Sequence, residues 1–164
     1  MSRQRSDRRG AERGGDPGEV SIVSGRALGV DLGSKRIGIA LSDPTRIVAS
    51  PHVVLQRAAD QGLDHEAIVA IARETGATTI VVGLPLSLSG AVGPAARATR
   101  REVQALEAVA APDIAVVVHD ERLTTVTAEA ALAEARMGRA ARREVVDKVA
   151  AAVMLQAWLE SGGR

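Results

Sequence analysis

The chain has 164 residues, 46% of them hydrophobic, a formal net charge of +1 and no cysteine. This length suits one domain with a proper core, and without cysteine there are no disulfides, thiolate nucleophiles or cysteine-based zinc sites. Trp158 is the one member of the Phe, Tyr and Trp set, which excludes the aromatic stacking platforms of many RNA-binding folds; any nucleic acid would be held through its backbone.

Residues 1–24 are rich in Arg, Gly, Asp and Ser without apolar periodicity and read as a disordered tail. The tail lacks the apolar stretch of a secretory signal, and no later apolar run approaches the roughly 18–20 residues of a membrane helix. A cytoplasmic protein with no membrane partner is expected. Residues 26–31 alternate apolar and small residues, 32–35 supply turn residues, and 36–42 alternate again, which predicts a hairpin. A third strand over 47–55 contains Pro51, so it belongs at an edge or a bulge. The spacing of Leu63, Ala67, Ile68 and Ile71 predicts a helix over 58–75, stopped by Gly76. The β-branched run 78–84 reads as a strand covered on both faces. After a Gly/Ser/Pro-rich loop, 94–110 reads as a helix and 114–119 as another buried strand. Residues 124–135 and 140–159 are predicted helices separated by Met137 and Gly138. A hairpin meander followed by strand–helix units predicts an α/β fold with a mixed central sheet flanked by helices.

Three motifs carry chemistry. In the hairpin, alternation puts Ala27, Gly29 and Asp31 on one face, and a short turn adds Gly38 and Ala40 to it. A face so stripped of side chains admits close approach by another element or a phosphate backbone. Asp31 at its end is either a turn-stabilising residue or a metal ligand. In the second motif His119, Asp120, Glu121 and Arg122 follow a buried strand, where open α/β sheets place their sites. Asp120 and Glu121 would point to opposite faces, so one of them should face Asp31; a solvated strand end with a local ion pair is the alternative. His119 reads as a packing or hydrogen-bonding residue. In the third, helical spacing aligns Asp147 with Ala150, Ala151, Met154 and Trp158. An acid heading an apolar stripe costs stability unless it is paired, with Arg143 or Lys148, or binds metal. The alanines behind Asp147 would let its helix sit close on the Gly29/Gly38 surface and bring Asp147 towards Asp31. Carboxylate ligands of this kind suit Mg2+ or Mn2+, and two such cations serve phosphodiester cleavage. Gly83 and Pro85 at the end of the strand 78–84, with Gly90 in the loop beyond, belong to an ordinary strand–helix connection or to one that meets phosphate. Lys35, Arg36, Arg122, Arg139, Arg142, Arg143 and Lys148 could grip a nucleic-acid backbone or be a solvated charge run.

Taken together, Gly29-Val30-Asp31, Val82-Gly83-Leu84-Pro85 with Gly90 and Gly93-Pro94 beyond it, the run from Asp120 to Thr125, and the run from Asp147 to Ala151 resemble the YqgF/RuvX family. The resemblance covers about residues 26–159. It implies a ribonuclease H-like nuclease domain over 25–161, related to the RuvC resolvases. The family is described both as a nuclease for the 5′ end of precursor 16S rRNA and as a Holliday junction resolvase. By that match Asp31, Glu121 and Asp147 take the places of the catalytic, cation-holding acids, and Lys35 or Arg122 would steady the scissile phosphate. The implied partner is nucleic acid, precursor rRNA or branched DNA, and a homodimer is left open. Ser87-Leu88-Ser89 departs from the family pattern, where a more polar Asn or Asp is expected, and this bears on the loop's contacts. The rival of another class is a non-catalytic nucleic-acid-binding module, against which the retention of all three acids argues.

Overall fold

The computed structural model describes residues 25–87, 89–120 and 139–163. The expected tail over 1–24, the helix over 124–135, and Glu121 and Arg122 lie outside the described residues. The elements are β1 (Arg26–Leu32), β2 (Arg36–Ser42), β3 (Ala49–Gln56), α1 (Gln61–Thr75), β4 (Ala77–Leu84), α2 (Pro94–Ala110), β5 (Ala115–Asp120) and α3 (Arg139–Glu160).

The strands form one sheet in the order β3-β2-β1-β4-β5. The β1–β2 and β2–β3 pairs are antiparallel, and the β1–β4 and β4–β5 pairs are parallel. Strand alternation divides the apolar side chains between two cores. Leu28, Val30, Ile37, Ile39, Ile80 and Val82 face one way, against Ile68, Val69 and Ala72 of α1 and Val103 and Leu106 of α2. Ala27, Ala40 and Val81 face the other way, against Ala151, Met154, Leu155 and Leu159 of α3. The second face is built from small residues, so α3 lies close to it. Trp158 packs on this core, half-buried, as its spacing predicted.

Pro51 sits where the alternation allowed it. β3 is an edge strand, and its register against β2 skips His52 between Val53↔Ile39 and Pro51↔Ala40, so the missing N–H falls at a bulge. The start of α1 differs from expectation. Asp60 is the N-cap, accepting from the Gly62 N–H, and the helix begins at Gln61 rather than at 58. Its C-cap is Gly76 at φ 72, a left-handed conformation suited to glycine. The inward face is also out of phase with the spacing read through Leu63. Asp64, His65, Ile68, Val69 and Ala72 are buried, and Leu63 is 56% exposed. Two polar residues replace Leu63 on the inner stripe because an arginine from outside the helix meets Asp64 there and a glutamate of α2 stands against His65, as described below.

β5 also differs from expectation. Among the described residues it pairs with β4 alone, at the sheet edge, and its residues are half-buried or exposed, with Val118 at 44%. The run 114–119, expected as a buried strand, is β-branched at 116–118, and such a run also suits an edge strand that packs on α2. Among the described residues no helix is long and apolar enough to cross a membrane.

Candidate active site

Asp31 stands near the end of β1, opposite Gly38 of β2. A Cβ at Gly38 would overlap the backbone carbonyl of Asp147. One at Gly29 would lie 2.8 Å from the Leu155 Cβ and 3.1 Å from the Ala151 carbonyl oxygen. The two glycines therefore let the backbone of α3 rest on β1 and β2, and that contact brings Asp147 to Asp31. The consequence is electrostatic. Burial first, and the charge of Asp147 second, push the Asp31 carboxyl up to about 6.

Asp147 is itself paired. Arg36 Nε donates to its Oδ2 at 2.5 Å, both side chains being 25% exposed. The sequence offered Arg143 or Lys148 as partners. Arg143 is exposed, and Lys148, as the next residue on the helix, does not face its neighbour. Arg36 opens β2, directly beneath the helix. Two crowded, partly buried carboxylates are a donor set that fits a hard divalent cation, whose charge would relieve their repulsion. Among the described residues no group of three or more His, Cys, Asp or Glu forms a metal-ligating cluster, and Glu121 lies outside them.

Residues 25–161 match the RuvX family model, which carries the description "Holliday junction resolvase". The chain belongs to the RuvX family. It is 40% identical over 142 residues to a protein of Roseiflexus sp. (strain RS-1) named "Putative pre-16S rRNA nuclease", covering 87% of this chain and 99% of that one. A protein of the same name from Rhodococcus opacus (strain B4) is 42% identical over 158 residues, 94% of this chain and 88% of the relative. Among solved structures, RuvC of T. thermophilus in complex with a Holliday junction substrate superposes with a TM-score of 0.53 at 14% identity, covering 84% of this chain and 96% of that one. The fold is thus that of RuvC, ribonuclease H-like.

In this RuvX chain, strand phase separates the neighbours of Asp31. Gly83 of β4 pairs with His119 of β5, and Leu84 pairs with Asp120. Val81 and Val117 belong to the α3 side, so His119, two residues on from Val117, shares the face of Asp31. Asp120 lies on the α1/α2 side. Burial lowers the His119 pKa, and the charge of Asp120 offsets this in part, so the ring is neutral at pH 7. The sequence marks His119 as a packing or hydrogen-bonding residue; the β4–β5 register is what puts it on the site's face.

The loop after β4 is closed by its serines. The Ser87 carbonyl accepts from the Gly90 N–H at 2.7 Å, the Ser87 hydroxyl accepts from the Ala91 N–H at 3.0 Å, and the Ser87 and Ser89 hydroxyls are 2.8 Å apart. Gly90 has φ 80, which explains glycine there. Serine thus closes this turn where the family pattern led us to expect Asn or Asp. Pro85 is exposed at the loop's start. Of the cations proposed to grip a backbone, Lys35 and Arg143 are exposed, Lys148 is half-buried, and among the described side chains only Arg36 is placed on a site carboxylate. Arg139 and Arg142 belong to the first turn of α3, their side chains outside what is described.

One cluster beside the site had no counterpart in the sequence reading. Arg57, in the segment between β3 and α1, donates from NH1 to Asp64 Oδ2 at 3.1 Å, from NH2 to Glu102 Oε2 at 3.0 Å, and also from NH1 to Glu102 Oε1. The three side chains are 15%, 3% and 8% exposed. His65 Nε2 stands 3.4 Å from Glu102 Oε1 without a hydrogen-bond partner. The same arginine donates from Nε to the Gly33 carbonyl at 2.9 Å, and its backbone N–H donates to the Lys35 carbonyl at 3.0 Å. Asp64 and Glu102 sit in phase with buried Ile68 and Leu106, four residues on. That is the pattern of an acid on an apolar stripe already used for Asp147, and it was the available signal.

Proposed function

We propose that the chain is a divalent-cation-dependent endonuclease that hydrolyses phosphodiester bonds in structured nucleic acid, and that its process is 5′-end maturation of precursor 16S rRNA. The observation that carries this reading is the convergence of Asp31 and Asp147 across the Gly38 contact, in a chain 40% identical to a relative named for that rRNA. Asp31, Asp147 and Glu121 would hold Mg2+ or Mn2+, which when bound supplies an activated water and stabilises the leaving oxygen. Arg36 orients the Asp147 carboxylate. Lys35, exposed at the tip of the β1–β2 turn, would meet a phosphate beside Asp31. With a single indole and a net charge of +1, binding is backbone-directed, shape-dependent and weakened by salt.

A second reading, resolution of branched DNA, is favoured by the description of the family model and by the RuvC fold. A cleavage assay decides between them: the purified chain with Mg2+ or Mn2+, offered a precursor 16S rRNA 5′ segment and a four-way DNA junction side by side. Cleavage of the RNA alone, lost in Asp31→Asn, supports the first reading, and junction cleavage alone supports the second. Salt-sensitive binding of either without cleavage would leave a non-catalytic binding module.

A further inference from the structure

We propose that Arg57 is a positioning residue of this site: from the opposite face of the sheet it clasps the turn that joins β1, with Asp31, to β2, with Arg36. The inference rests on the nuclease reading for its catalytic part only.

The chain of contacts is continuous. Glu102 on α2 and Asp64 on α1 hold the guanidinium from two sides. Asp64 also accepts from the Ala58 N–H at 2.9 Å, which fixes the segment that presents Arg57. Nε goes to the Gly33 carbonyl, and the Gly33 N–H in turn donates to the Asp31 carbonyl at 3.1 Å. On the other strand the Arg57 N–H holds the Lys35 carbonyl, one residue before the arginine that orients Asp147. Both halves of the hairpin are thus tied to α1 and α2 through one residue, and Asp31 and Asp147 depend on it indirectly.

Burial is the second argument. Taking one cation and two carboxylates out of water is costly, and apolar residues of similar volume would often stabilise a core at least as well. The planar guanidinium delivers five N–H donors in a fixed fork, and this site uses the fork to hold a carbonyl and two acids at once. An ammonium at the same place has no fixed equivalent of the Nε bond. Arg57 is 15% exposed and surrounded by its partners, so it acts through the turn and does not grip nucleic acid.

The test compares wild type, Arg57→Lys and Glu102→Gln as full chains. Amide hydrogen exchange is measured over 33–36 and, as a reference, over β4 and α2. Mn2+ affinity is measured by calorimetry, and cleavage is followed under single-turnover conditions. For Arg57→Lys the expected result is at least tenfold faster exchange confined to the turn, at least tenfold weaker Mn2+ binding, and a cleavage rate at least tenfold lower. The RNA concentration giving half-maximal rate should stay within threefold. Glu102→Gln keeps the Nε bond and should move the same quantities in the same direction by less; it carries the test should Arg57→Lys fail to fold. A uniform rise of exchange across the domain would show a merely structural ion cluster and overturn the proposal. So would an unchanged turn with unchanged Mn2+ affinity. If wild type neither binds Mn2+ nor cleaves, the nuclease reading fails, and the exchange pattern alone still decides whether Arg57 holds the turn.

Discussion

Replacing Asp31 by Asn should make the metal-free protein more stable and at the same time abolish its response to magnesium. Burial and the charge of Asp147 raise the Asp31 carboxyl from 3.8 to about 6. A raised folded-state pKa means that the fold binds the proton more tightly than the unfolded chain does. The associated stability is complete below about pH 4 and is lost as pH rises through about 6. The full gap corresponds to about 3 kcal/mol at 1.36 kcal/mol per pH unit, and residual solvent access reduces this to roughly 1–2 kcal/mol. At roughly 3 °C per kcal/mol for a domain of this size, Asp31→Asn should melt about 3–6 °C above wild type at pH 7.5 in a chelator. The two curves should converge near pH 4. Magnesium at about 100 times its Kd would stabilise wild type by roughly 2.7 kcal/mol and the variant hardly at all. Scanning calorimetry from pH 4 to 8, with and without magnesium, measures each of these. An Asn variant that melts below wild type at pH 7.5, or that keeps the magnesium shift, would falsify the crowded-carboxylate account.

Two further predictions test the same geometry from the α3 side. Asp147→Asn removes the repulsion on Asp31 and an Arg36 pair that is partly exposed and worth at most about 1 kcal/mol. Its metal-free melting temperature should therefore stay within about 3 °C of wild type. The Asp31 carboxyl should fall by the lesser part of its shift, burial still holding it above its ordinary value, in carbon-detected NMR titration, and both the magnesium shift and cleavage should be lost. A sharp loss of stability with an intact magnesium shift would make Asp147 purely structural. Gly38→Ala and Gly29→Ala each drive a methyl into α3 and should each cost about 1–3 kcal/mol. Only Gly38→Ala displaces Asp147 directly, so it alone should lose the magnesium shift; equal loss in both would show that α3 moves as a rigid unit.

The sequence was most legible where backbone periodicity and side-chain size speak together. Alternation through Ala27, Gly29 and Asp31, answered by Gly38 and Ala40, correctly anticipated the face on which α3 lies, and α2 runs over the predicted 94–110. It was least legible where a long-range polar contact overrides the apolar pattern. Leu63 looked like a core residue of α1, yet Asp64 and His65 take the inner positions because Arg57 and Glu102 meet them there. Glu102 is distant in sequence, and Arg57, though only seven residues before Asp64, is a lone arginine between a strand and a helix that carries no local mark of burial. Arg36 was anticipated as a contact for nucleic acid; its bond to Asp147 depends on which residue of β2 comes to rest under α3, and that is a matter of register.

The two faces of the sheet explain why such a site is tolerated. On the α1/α2 side the strands carry Leu28, Val30, Ile37, Ile39, Ile80 and Val82, all fully buried. Burying one such side chain is worth about 1.5–3 kcal/mol, as much as the whole cost estimated for the Asp31 charge. The α3 side gives up that aliphatic bulk. Its glycines and alanines contribute little by burial, but they bring a helix backbone within contact distance of β1 and β2, and through it the Asp147 carboxylate to Asp31. Larger residues at 29 and 38 would bury more surface only if α3 stood further off, and the two acids would then separate. Stability and chemistry are thus assigned to opposite faces of the same strands. The β1–β2 turn is where they are linked, because Arg57 fastens it to the α1/α2 side while Asp31 and Arg36 leave it towards α3.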